Sequence, residues 1–267
     1  MSIAVNGATR LYIIVGDPIA QVQSPAGMTQ AFAALGRNAV LVPVHVSPAD
    51  LPGFLEGISR VQNLDGIVVT IPHKFACYRF CTSATKRAHF LGAVNVMRRA
   101  PDDGWFGEML DGLGFVGALR ANGCRPEGLR ALLAGAGGAG SAIAFDLIEA
   151  GVRELAIHDI DAKRRDTLIG RLTAKRKTPV FAGSVDPAGF DLIANATPAG
   201  MKLGDAYPID AARLRPEMFV GCVITSPTVS PIVEAAQRIG CNTSIGRDMY
   251  AAEQKMMLDF LLGDAEP

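Results

Sequence analysis

Residues 129–151 read LRALLAGAGGAGSAIAFDLIEAG, and this stretch decides the fold. Arg130 to Ala134 is a short apolar run of strand length, and Gly135 to Gly140 breaks it. Ser141 to Ala150 then follows a helical apolar pattern. Strand, glycine turn and helix form the context of a dinucleotide-binding fingerprint. In such a turn Gly135 supplies the sharp bend, Gly137 lets backbone N–H groups approach a pyrophosphate, and Gly140 lets the helix pack on the strand. Ala136, Gly138 and Ala139 complete the loop, whose N–H groups and helix dipole favour a phosphate. A second apolar run, Glu154 to His158, ends at Asp159, 24 positions after Gly135, where a carboxylate takes ribose hydroxyls. The expected cofactor is a nicotinamide dinucleotide.

Upstream, the apolar runs Leu11 to Val15, Val40 to Val46 and Leu64 to Thr70 alternate with helical stretches at Pro25 to Leu35, Pro48 to Ser59 and His73 to Cys81. That β-α-β-α-β series predicts an α/β layered domain. Ser24 stands where an N-cap is expected and Gly36 just past the helix end. Two short strands, in AVNVMRR and WFGEML, are joined by the turn Pro101 to Gly104. Asp111 opens a helix to Ala121, read as the crossover to the second domain. Downstream come strands at Phe190 to Asn195 and Phe219 to Ile224, and helices at Ser230 to Ile239 and Asp248 to Leu262. The fold class is α/β with two domains: residues 1–110, with 247–267 returning to them, and a Rossmann domain at 111–246. The substrate is expected between them, where pockets commonly form.

Composition sets limits. With 49% apolar and 19% charged residues, the chain of 267 residues can bury two cores. Lys plus Arg equals Asp plus Glu at 26 each, which argues against nucleic acid or an anionic membrane as partner. No apolar run nears the ~20 residues of a membrane span, and the N-terminus lacks the layout of a signal peptide. Five cysteines without a CxxC pair fit reduced thiols in a cytoplasmic protein without a metal site. The oligomeric state stays open, a homodimer being allowed.

Five strings occur in order: VVTIPHK at 68–74, GAVNV at 92–96, GEMLDGLGF at 107–115, GAGGAGSA at 135–142 and NATPAGM at 195–201. Together they resemble the shikimate dehydrogenase family over nearly the whole chain. GDPIAQVQSP at 16–25 and GRDMYAAEQ at 246–254 match its end motifs more loosely. The resemblance implies a substrate domain plus a Rossmann domain and a reversible NAD(P)-dependent oxidation of a ring hydroxyl in a small cyclic hydroxy acid. It implies Lys74 and Asp111 as the catalytic pair. The chemistry suits them, since a lysine beside a carboxylate can hold a hydroxyl, stabilise developing alkoxide charge and move its proton. The resemblance also places Ser24, Thr70, Asn95 and Gln254 on the substrate, and Asn195, Thr197, Pro198, Met201 and Gly246 near the nicotinamide.

The departures fall on the substrate side. The first serine of the family's SxS motif is Val22, and the Asn and Thr of its GxNTD motif are Met109 and Leu110. Its DxxYNP motif has Cys222 for Asp and Thr225 for Tyr. Glu253 stands at the ungapped position of the substrate glutamine, with Gln254 next to it, so either residue can be the one that faces substrate. Asp159 and Asp161 occupy the place of an Asn-Arg-Thr run in NADP-preferring members, which favours NAD; Lys163 and Arg164 nearby leave NADP allowed. Two other readings remain: a methylenetetrahydrofolate dehydrogenase, and a ligand-sensing homologue that binds NAD and a cyclic polyol with little catalysis.

Overall fold

The computed structural model describes residues 5–102, 104–202 and 204–263. Asp103 of the expected turn and the residues beyond both ends of that range lie outside the described residues. The chain divides into two compact units, one up to Leu110 together with the residues from Gln254 on, the other from Asp111 to Glu253.

The first unit runs β1 (Arg10–Gly16), α1 (Ser24–Ala34), β2 (Ala39–His45), α2 (Leu51–Ile58), β3 (Leu64–Val69), α3 (Lys74–Phe80), β4 (Ser83–Ala84), α4 (Lys86–Leu91), β5 (Val96–Arg99) and β6 (Trp105–Glu108). Its six-stranded sheet has the order β2-β1-β3-β5-β6-β4. β1 pairs in parallel with β2 and β3, whereas β5 is antiparallel to β3 and β6. Strands β1 and β3 are buried along most of their length, as their apolar runs, Leu11 to Val15 and Ile67 to Val69, require of a sheet covered on both faces. Helix α1 turns Met28 and Phe32, one helical turn apart, onto this sheet, and Phe32 stacks on Tyr12 with ring centroids 4.5 Å apart.

Two local expectations change, and one helix, α4, comes in addition. Gln23, not Ser24, holds the N-cap position of α1, no side chain caps it, and Ser24 is the first helical residue. Helix α2 begins at Leu51 because Ser47 first forms a turn in which its Oγ accepts from the Asp50 N–H at 3.3 Å. Helix α4 had no apolar signal; it is set by a cap, Thr85 Oγ1 accepting from the Ala88 N–H at 3.2 Å, and ends at Gly92 with φ +65°.

The second unit runs α5 (Asp111–Ala121), β7 (Arg130–Ala134), α6 (Gly138–Glu149), β8 (Glu154–His158), α7 (Ala162–Thr173), β9 (Val180–Ala182), β10 (Leu192–Asn195), a short 3-10 turn at Ala211–Arg213, β11 (Phe219–Cys222), α8 (Pro231–Ile239) and β12 (Asn242–Ser244). Helix α9 (Gly246–Leu262) starts here and ends among the residues of the first unit. All six strands are parallel, in the order β12-β11-β10-β7-β8-β9. Counted from β7, that is the 3-2-1-4-5-6 order of a doubly wound nucleotide-binding sheet, with its switch point between β7 and β10.

Close approach decides how this unit packs. A Cβ on Gly140 would lie 1.9 Å from the Gly135 carbonyl oxygen, so α6 sits on the end of β7 only because residue 140 has no side chain. Helix α5 meets α6 in the same way, since a Cβ on Gly112 would fall 2.3 Å from the Ala142 carbonyl oxygen. By contrast a Cβ on Gly137 would meet nothing within 4 Å, and its φ of −72° suits any residue. Gly140→Ala is therefore expected to cost about 1–3 kcal/mol or more by overpacking, and Gly137→Ala within about 0.5 kcal/mol. Urea denaturation of the two variants checks the contrast; equal losses would show that the loop, not the helix seat, is the crowded element.

Candidate active site

In open α/β sheets ligands bind beyond the carboxyl ends of the strands at the switch point. In the second unit that place is the end of β7 beside the end of β10, and the two loops there touch. A Cβ on Gly135, at φ +100°, would lie 2.9 Å from the Ala196 backbone and 3.1 Å from Thr197 Cγ2. Gly138 starts α6 after Gly137 at the cap position, and Ser141 N–H donates to the Gly137 carbonyl at 2.8 Å. Earlier N–H groups of that turn lie ahead of the helix ladder, and Ala139, half-buried, leaves their approach open. The open space at Gly137 and the twelve-residue helix behind it fit a pyrophosphate.

The loop after β10 is organised by side chains. Asn195, fully buried, accepts at Oδ1 from Thr197 N–H (3.0 Å) and Thr197 Oγ1 (2.7 Å), and its amide donates to Cys222 Sγ at 3.3 Å. Ser230 Oγ donates to the same sulfur at 3.3 Å. Pro198 is exposed, Met201 packs on the core of this unit, and Met201 N–H donates to the Pro198 carbonyl at 3.0 Å. Gly246 opens α9 where a Cβ would come 2.3 Å from the Ile224 carbonyl, so its place beyond β11 requires glycine.

Asp159, at the end of β8, is buried and holds four donors, two of them from Arg164. Burial alone pushes its carboxyl up, but the Arg164 guanidinium and the N–H groups of Ala136 and Asp161 outweigh it and hold the pKa below the ordinary 3.8. The Arg164 pairing is the feature that sequence reasoning missed: proximity was legible, occupation of the carboxylate was not.

The first unit has its own switch point, between β1 and β3, because β2 and β3 flank β1 on opposite sides. Gly16 ends β1 where a Cβ would come 2.3 Å from Thr70 Cγ2, so Thr70 stands against the end of β1. Thr70 N–H donates to the Val15 carbonyl at 3.0 Å. Lys74 is the half-buried first residue of α3, directly after this loop. Its neighbour His73 is buried and anchored by a ring nitrogen 2.8 Å from the Val46 carbonyl oxygen. Asn95, buried before β5, accepts at Oδ1 from the Leu110 N–H at 2.8 Å, and Val94 N–H donates to the Lys74 carbonyl at 3.1 Å. Ser24 is buried at the start of α1, after the β1 loop. Thus Thr70, Lys74, Asn95 and Ser24 hang from the loops around one set of strand ends.

Residues 14–97 match the family model of the shikimate dehydrogenase substrate binding domain. Over 241 residues the chain is 36% identical to the shikimate dehydrogenase (NADP(+)) of Rubrobacter xylanophilus, covering 88% of this chain and 84% of the relative. The chain belongs to the shikimate dehydrogenase family. Among solved structures, the shikimate 5-dehydrogenase of Listeria monocytogenes in complex with shikimate and NAD is 26% identical with a TM-score of 0.85, over 100% of this chain and 96% of that one. The ligand-free 5-ketofructose reductase of Gluconobacter sp. strain CHM43 is 27% identical with a TM-score of 0.79, over 96% and 93%. As a member of the family the protein is a dehydrogenase acting on a CH–OH group, with a nicotinamide dinucleotide as its redox partner.

In this shikimate dehydrogenase family member, Asp111 is the buried first residue of α5. Met109 and Leu110, at the family's polar positions, are buried as well. Glu253 is buried in the second unit, where its Cβ would be 2.9 Å from a Cβ on Gly114 of α5. Gln254, half-buried, belongs to the first unit. Because Asp159 has a lowered native pKa, its contribution to stability is complete above the ordinary carboxylate range and is lost as pH falls through the native value. Asp159→Asn should cost about 1–3 kcal/mol in urea denaturation at pH 7, and the gap to wild type should close below about pH 4. A gap unchanged at pH 3 would show that the carboxylate's charge is not what stabilises the loop.

Proposed function

We propose that the enzyme transfers hydride between NAD and a ring hydroxyl of shikimate, quinate or a related cyclic hydroxy acid, in the cytoplasm. The observation that carries the reading is Lys74 at the head of α3, directly beyond the switch point where Thr70 meets the end of β1. When bound, the nicotinamide supplies the hydride acceptor, or the donor in reverse. As an alcohol loses hydride from carbon, the proton on the oxygen bonded to that carbon must leave as well. Lys74 is proposed to take that proton and, in reduction, to return it to the carbonyl oxygen. Asp111 is proposed as the second member of the catalytic pair, a carboxylate that orients a hydroxyl. Thr70, Asn95, Ser24 and Gln254 are proposed to bind the remaining polar groups of the ring.

Specificity follows from what is absent. Val22, Met109 and Leu110 provide no side-chain hydrogen bond where the family pattern has hydroxyls and an amide. Each hydrogen bond lost to a charged carboxylate costs about 1.5–3 kcal/mol, so two or three lower affinity for shikimate by orders of magnitude. Likeness to a 5-ketofructose reductase supports a substrate with a different polar pattern from shikimate. For the cofactor, Asp159 accepts from a free 2′-hydroxyl and repels a 2′-phosphate, and Ile160, 95% exposed, offers a phosphate no donor from its side chain.

Initial rates with shikimate and then quinate, over a range of NAD and NADP concentrations, test the reading. NAD should exceed NADP in kcat/KM, and shikimate should turn over slowly with high KM. Lys74→Met should lower kcat by about 10²–10⁴ while dinucleotide affinity stays at wild type; near-normal kcat in that variant removes Lys74 from the chemistry. Gly137→Ala should keep its fold and weaken dinucleotide binding at least tenfold by calorimetry. Wild-type affinity in that variant would place the pyrophosphate elsewhere.

A further inference from the structure

The carboxylate of Asp159 is full. Oδ1 accepts from the Asp161 N–H at 2.8 Å and from Arg164 Nη2 at 2.7 Å. Oδ2 accepts from the Ala136 N–H at 2.7 Å and from Arg164 Nε at 3.1 Å. A carboxylate has roughly four lone-pair sites, and these four donors fill them. A ribose hydroxyl that donates to Asp159 must therefore displace one.

The four are not equally movable. The Ala136 N–H belongs to the glycine loop and the Asp161 N–H to the start of α7, so both are held by backbone that the fold fixes. The guanidinium is on a long side chain, 45% exposed. Its departure leaves the helix start intact, because α7 is capped separately: Asp161 Oδ1 accepts from the Arg164 backbone N–H at 3.0 Å. The neighbouring cations differ. Arg165 is diverted to Asp166 at 2.8 Å, and Lys163 is exposed one residue before Arg164.

We propose that Arg164 is a specificity-determining latch on Asp159: ribose hydroxyls gain the carboxylate only by displacing the guanidinium. The displaced guanidinium then stands beside the ribose, where a 2′-phosphate would be its partner. One side chain thus weakens NAD binding by competing for Asp159 and lends NADP the cation that Ile160 and Asp161 do not. A charge-assisted bidentate pair is among the stronger surface interactions, yet partial exposure limits it, so the competition is worth a modest factor. The inference rests on Asp159 as the ribose acceptor.

The test is fluorescence titration of the full chain with NADH and NADPH, for wild type, Arg164→Met, Arg164→Lys, Lys163→Ala and Asp159→Asn. Arg164→Met keeps the length of the side chain and removes the fork. It should tighten NADH about 3–10-fold and weaken NADPH about tenfold or more. Arg164→Lys keeps the charge without the fork, and should tighten NADH while holding NADPH within about threefold of wild type. Lys163→Ala removes the same charge without touching Asp159, and should change the NADH to NADPH ratio less than threefold. The latch is overturned if Arg164→Met shifts both dinucleotides by one factor, if it weakens NADH, or if Lys163→Ala reproduces its effect. Failure of the underlying reading looks different: Asp159→Asn then leaves NADH affinity at the wild-type value. If Arg164→Met does not fold, Arg164→Lys alone decides, since an unchanged NADH affinity there excludes competition by the fork.

Discussion

The nucleotide-binding unit depends on a missing methyl group. With the Gly135 carbonyl oxygen 1.9 Å from where a Cβ of Gly140 would be, the first turn of α6 can rest on the end of β7 and nowhere else as closely. That seat brings the loop after β7 against Ala196 and Thr197, so the ends of β7 and β10 share one rim. It also sets the direction of α6, and with it the N–H groups that have no partner inside the helix. Gly112 extends the same logic to α5, whose first residue is Asp111. Packing and chemistry are linked here because a carboxylate at a helix start is placed only as well as the helix is.

A second constraint is polar. Asp159 ties the end of β8 to the glycine loop through the Ala136 N–H, and Asn195 ties the loop after β10 to Cys222 and Ser230. Both arrangements lie in buried surroundings, where an unpaired polar group would cost about 1–3 kcal/mol. The Asn195 chain shows how a departure from the family pattern is absorbed. Cys222 stands where the resemblance expects an Asp, and its sulfur serves as acceptor for both neighbours without adding a charge to the interior. Burial pushes that thiol up, which suits a neutral acceptor.

What could be read in the sequence follows signal length. The strands β7 and β8 and the helix α5 coincide with the apolar runs and the Asp at their borders, because each is buried over most of its length. β4, β9 and β12 were not legible. They have two or three residues each, and β9 is an edge strand with Phe181 40% exposed, so no alternation can accumulate. Ser24 looked like a cap because Ser before Pro usually is one; the chain instead enters α1 one residue earlier, through Gln23 in helical geometry. At 253 and 254, spacing alone could not choose between Glu and Gln, since helix α9 changes unit between them. The saturation of Asp159 was out of reach for a deeper reason: a list of residues counts donors and acceptors but not who holds whom.

The two units hold the proposed functional groups on the same kind of support. In each, loops at the carboxyl ends of parallel strands present the proposed functional groups, and the strands behind them are among the most buried of the chain. Such a frame tolerates change at loop positions while the residues on helix starts stay fixed by packing. Lys74 is held through both flanks, by the anchored ring of His73 and by the Val94 N–H on its own carbonyl. Met109 and Leu110, two positions from Asp111 or fewer, are apolar and buried where the family pattern has Asn and Thr. On this reading reaction and specificity are separable: the proposed proton-handling residues Lys74 and Asp111 open helices that close packing holds, while the polar pattern proposed to select the ring is altered at Val22, Met109 and Leu110.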